Sequence, residues 1–131
     1  MAIQTRRAFL ATASALTLGA TSSFAMEKNA PLVHHVFFWL KNPSSKEDLA
    51  KLLEGLKTLK KIETIKMLHI GVPASTEKRD VVDNSYSASE LMFFDDLVGQ
   101  KTYQDHPIHQ KFIADCSHLW EKVIVYDAIA I

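Results

Sequence analysis

The sequence predicts an α+β fold in the order β-α-β-β-α-β. Three observations carry the prediction. β-branched and aromatic runs stand at four places, one long amphipathic helix separates the first two, and a helical stretch broken at a proline separates the last two. That order is a split βαβ, ferredoxin-like unit, with helices on one face of an antiparallel sheet.

The first strand is "LVHHVFFWL", Leu32 to Leu40, with no Gly or Pro inside and apolar residues on both faces. "KNPSSKED" is a turn in which Ser44 and Glu47 have capping-box spacing. Leu49, Leu52, Leu53, Leu56 and Leu59 then recur at helical spacing, with Lys and Glu opposite, so a helix is expected to about Lys60. Ile65 to Ile70 is the second strand, ended by Gly71-Val72-Pro73. After a polar loop, "YSASELMFF", Tyr86 to Phe94, is the third. Asp95 or Asp96 offers an N-cap for a short helix to about Tyr103, and "KVIVYDAI" from Lys122 is the last strand.

The chain opens with a segment to be set apart from the fold. Arg6 and Arg7 precede Ala8-Phe9-Leu10 and an apolar run of small residues, no acidic residue occurs before Glu27, and Ser23-Phe24-Ala25 presents small residues to a signal peptidase. This pattern predicts a Tat-type signal peptide over residues 1–25, cleaved after Ala25. A short segment, 26–31, and one domain, 32–131, then form an exported chain bound for the periplasm or the cell exterior. Without Arg6 and Arg7, 13 basic residues face 15 acidic ones, a net −2 with no basic patch to neutralise phosphates, so nucleic acid is not an expected partner. No membrane contact is expected of the mature form. Cys116, alone in the sequence, reads as a small core residue.

On the first strand, Val33, His35, Phe37 and Trp39 share one face, and His34, Val36, Phe38 and Leu40 the other. Helices cover only one. The other predicts a homodimer with two sheets face to face.

The chemistry concentrates in "YQDHPIHQKF", Tyr103 to Phe112. Pro107 fits a first helical position and holds His106 extended before it, where His106 caps or flanks the helix. His109 then lies in the first turn, near the positive end of the helix dipole, which disfavours imidazolium. A neutral His109 could abstract a proton α to a carbonyl while the Tyr103 phenol stabilises the enolate. The alternative is a buried histidine that holds the helix start against the sheet. No His-Glu-x-x-His motif or cysteine pair supports a metal site, and no metal or cofactor is expected.

"VHHVFFWLK", "HIGVP", "FFDDLVGQKTYQDHPIHQKF" and "LWEKVIVYD" together resemble the stress-responsive A/B barrel (Dabb) family over roughly Leu32 to Asp127. The resemblance implies a dimeric α/β barrel. It also implies site roles, because a plant polyketide cyclase of the family uses a tyrosine and a histidine at the positions matching Tyr103 and His109. His35 matches a further histidine there, which implies that His35 points toward the helices beside that pair. Phe37, on the same strand face, is expected to pack beside His35 and line a small apolar pocket. Two pocket residues of the cyclase do not carry over, falling at Ala88 and near Gly55.

The expected function is therefore binding of a small, partly apolar molecule between sheet and helices, contacted by His35, Phe37, Tyr103 and His109. The alternatives are a cofactor-free enzyme using Tyr103 and His109 for an aldol cyclisation or isomerisation, and a non-catalytic stress-protective module.

Overall fold

An uninterrupted run of β-branched and aromatic residues has no reason to leave extended geometry until a turn signal ends it, and Leu32–Leu40 forms one strand, β1, over that run. The computed structural model describes residues 30–131. The predicted signal peptide, with Arg6, Arg7 and Ala25, and residues 26–29 lie outside the described residues. From β1 the chain continues through helix α1 (Lys46–Thr58), a 3₁₀ turn (Leu59–Lys61), and strands β2 (Met67–Gly71) and β3 (Ala88–Phe94). Helices α2 (Leu97–Asp105) and α3 (Pro107–Cys116), a second 3₁₀ turn and strand β4 (Trp120–Ile129) complete it. The sheet order is β2-β3-β1-β4 with every pair antiparallel. This is the ferredoxin-like α+β fold.

Local chemistry places the helix starts. The Ser45 hydroxyl accepts from the Asp48 N–H at 3.1 Å and caps α1. The expected cap was one residue earlier, but Ser44 donates to the Asn42 side chain instead. Asp96 caps α2 by accepting from the Gly99 N–H at 2.8 Å. His106 caps α3, its Nδ1 accepting from the Ile108 N–H at 3.1 Å, and Pro107 occupies the first turn.

α1 buries Leu52 and Leu56 with Leu59 and Ile62 against Val36, Phe38, Leu40, Met92 and Phe94. Its close approach to α3 depends on Gly55. A Cβ there would lie 2.5 Å from Cys116 Sγ and 3.1 Å from the Phe112 ring, so a side chain at this position would have to push α1 and α3 apart.

Burial alternates along β1, and the helices cover the face carrying Leu32, His34, Val36, Phe38 and Leu40. The expectation that His35 faces the helices with Phe37 is therefore corrected. Strand alternation puts both on the opposite face with Trp39. There the His35 and Phe37 rings are 4.2 Å apart, and Phe37 packs edge-on against Tyr86 and Tyr126. The cause of the error is physical. Both faces of β1 are apolar with one histidine each, so periodicity alone does not choose between them.

Candidate functional site

Between the sheet and the α2–α3 corner lies a cavity of about 190 Å³. Its apolar lining comes from Val36 and Phe38 of β1, Phe112 and Ile113 of α3, and Trp120, Val123 and Val125 of β4. Four side chains with titratable groups also line it: His34, Glu90, Tyr103 and His109. Each comes from a different element, since β1, β3, α2 and α3 contribute one apiece.

Glu90 is the group that sequence reasoning missed. It pairs with Val36 across β3 and β1, on the helix-covered face, and is 1% exposed. The Tyr103 hydroxyl, itself buried, donates to Glu90 Oε1 at 3.2 Å, while the buried Oε2 has no protein partner. Burial pushes the Glu90 carboxyl up to about 7, with the hydrogen bond from Tyr103 opposing the shift. Burial first, and the Glu90 charge second, hold the Tyr103 phenol far above its ordinary value, so it stays a donor. A sequence signal existed: in "SASELMFF" one carboxylate sits in the same alternation as Ala88, Met92 and Phe94, on what must be a core face.

His109 stacks beside Tyr103, ring centroids 4.6 Å apart. Its Nδ1 lies 3.1 Å from the Gln104 carbonyl oxygen. A carbonyl only accepts, so Nδ1 carries the hydrogen and Nε2 the lone pair. Burial, with a smaller contribution from His34, lowers the His109 pKa against the opposing effect of the Gln104 carbonyl. The ring is neutral at pH 7 and able to accept a proton.

His34 occupies the place expected for His35. Its Nδ1 donates to Asp127 Oδ1 at 2.6 Å, across the β1–β4 pair His34↔Asp127. Its Nε2 stands 4.0 Å from Glu90 Oε1, and its ring meets Tyr103 at 5.5 Å. The Asp127 side chain is 47% exposed, so the row Asp127, His34, Glu90, Tyr103 runs from solvent into the core. Tyr103 and His109 thus come together as expected, and His35 and Phe37 do not join them.

His69 and His118 are exposed. Among the described residues no group of three or more His, Cys, Asp or Glu side chains is placed to hold a metal ion. Among the same residues no helix is long and apolar enough to cross a membrane.

The profile of the stress responsive A/B barrel domain matches residues 32–130. Among solved structures, a Mesorhizobium loti protein described as a Dabb family protein with a ferredoxin-like fold is 25% identical, with a TM-score of 0.64 over 78% of this chain and 98% of that one. A hydroxynitrile lyase from Passiflora edulis is 17% identical, with a TM-score of 0.66 over 79% and 95% of the two chains. A Thermobifida fusca protein described as dimeric, ferredoxin-like and of unknown function is 16% identical, with a TM-score of 0.64 over 79% and 93%. Comparison with curated proteins finds no match.

Proposed function

The chain belongs to the stress-responsive A/B barrel (Dabb) family, and from that premise we propose that it is an exported homodimer that binds a small, partly apolar molecule between its sheet and its helices. One observation carries the reading. An apolar cavity receives four buried polar groups, His34, Glu90, Tyr103 and His109, of which Glu90 has an oxygen that no protein group satisfies. Convergence of a few polar groups with perturbed pKa values on an apolar pocket is the signature of a small-molecule site.

The dimer reading draws support from the open face of the sheet. His35, Phe37 and Trp39 are only half-buried there, and Tyr126 and Phe93 are exposed. A second copy laid face to face would cover them. The Thermobifida fusca neighbour is described as dimeric. The reading of export through the Tat route rests on Arg6, Arg7 and the small residues before Ala25.

Thermal melts against a panel of small ketones and phenols test the binding. A bound ligand raises the melting temperature, and His109→Ala abolishes that rise. A melt unmoved by every compound, together with protein that carries no small molecule from its host, would leave the stress-protective structural role instead.

A second reading, cofactor-free catalysis, is favoured by the neutral His109 base beside a buried carboxyl that titrates near neutrality. A protein of the same fold from Passiflora edulis is described as a hydroxynitrile lyase.

A further inference from the structure

We propose that Glu90, rather than Tyr103, is the group that exchanges a proton with the oxygen of a bound small carbonyl compound, and that Tyr103 positions Glu90 for this exchange. The inference rests on the binding reading above and adds both a residue and a ligand class to it.

The geometry assigns the roles by elimination. The Tyr103 hydroxyl has one hydrogen, and that hydrogen is committed to Glu90 Oε1. With Oε1 occupied as an acceptor, the proton of the neutral carboxyl sits on Oε2. That atom is buried and without a protein partner, and Glu90 lines the cavity. A buried O–H with no acceptor costs free energy unless a ligand supplies one. A carbonyl oxygen is the matching acceptor, and the hydroxyl of the corresponding enol is the matching donor when Oε2 is ionised. His109 supplies the complementary base, since its Nδ1 is held by Gln104 and Nε2 keeps the lone pair.

The exchange is balanced. His109 Nε2 takes a proton from the carbon next to the carbonyl, and the C–H electron pair becomes the C=C bond. The carbonyl π pair takes the proton of Glu90 Oε2 and becomes the enol O–H. The products are the enol, a His109 imidazolium and a Glu90 carboxylate. Return of both protons regenerates the ketone, and no oxidant, reductant or further reactant enters. The titratable groups around Glu90 are Tyr103 from α2, His109 from α3, His34 from β1 at 4.0 Å, and Asp127 of β4 acting through His34. β2 presents Ile70 next to Glu90, and α1 presents leucines.

The experiment follows exchange of the α-hydrogens of butanone and cyclohexanone into deuterated water by NMR, with binding of the same ketones measured separately by thermal shift. Wild type should accelerate exchange. His109→Ala and Glu90→Gln should each lose about 100-fold or more, the usual range for a general acid or base. Gln keeps the size of Glu and an oxygen for Tyr103, so the fold has no reason to fail. Tyr103→Phe should slow exchange less than Glu90→Gln does and should move its alkaline limb to higher pH, because the hydrogen bond that opposes the rise of the Glu90 pKa is gone. A merely structural tyrosine would leave that limb in place. Ketones that bind wild type while Glu90→Gln exchanges at the wild-type rate would overturn the role of Glu90 and leave the binding reading standing. Binding without exchange in wild type would do the same. Failure of both ketones to bind or exchange would remove the carbonyl class itself.

Discussion

The two faces of the sheet begin with nearly the same composition and end with different chemistry. On the covered face, His34 and Glu90 lie under the helices, each 4% exposed or less, and the buried Glu90 Oε2 has no protein partner. On the open face, His35 stacks on Phe37, which with Trp39, Tyr86 and Tyr126 lines a space of about 150 Å³. A histidine under the helices is held in one orientation by Asp127, whereas a histidine on the open face only packs. Burial turns similar residues into an enclosed polar cluster on one side and an open aromatic surface on the other.

The largest expected effect separates the faces by stability. Phe38→Ala on the covered face should cost about 3–5 kcal/mol in urea denaturation, as for a large side chain lost from a core. Phe37→Ala, one residue along, should cost far less at low protein concentration but shift the monomer–dimer midpoint in sedimentation. Equal losses of folding stability from the two would erase the distinction.

Next comes the buried carboxyl. Glu90 titrates at about 7 in the fold, above the ordinary value of about 4.3 for a free glutamate. A raised carboxyl pKa means that the fold prefers the protonated form. The associated stability is fully present below about pH 4.3 and is lost as pH rises through 7. Glu90→Gln cannot ionise, so its stability relative to wild type should rise by roughly 3 kcal/mol between about pH 4 and about pH 8. Parallel pH profiles of the two proteins would show that Glu90 does not carry this penalty.

A smaller effect is expected from Asp127→Ala, which leaves His34 Nδ1 without its acceptor. The loss should be roughly 1–2 kcal/mol, because the carboxylate is half exposed and screened by solvent. The smallest effect sharpens the comparison from the other side. His35→Ala should leave the ligand-induced rise in melting temperature unchanged, where His109→Ala removes it.

Much of this was legible in the sequence, for identifiable reasons. The Leu49 to Leu59 spacing, the run of β1 and the break at His106-Pro107 each express one local rule, and the structure follows all three. Tyr103 and His109 come together because that break folds α3 back beside α2. The misplaced face of β1 was not legible, because Val33 to Trp39 and His34 to Leu40 are equally apolar and only packing chooses between them. Glu90 was overlooked although it stood in view. A lone carboxylate in a strand is usually solvated. Its alternation with Ala88, Met92 and Phe94 was the sign that this one is not, and the pairing with Val36 and the approach of Tyr103 make it plain.

Which face takes the ligand is tested most directly by watching the six histidines at once. Protein labelled with ¹⁵N-histidine would be titrated with cyclohexanone and its ring nitrogens followed by NMR. The predicted result is movement of the His109 and His34 signals, with His35 and His69 unmoved. Shifts confined to His35 and His69 would place the ligand on the open face and contradict the account.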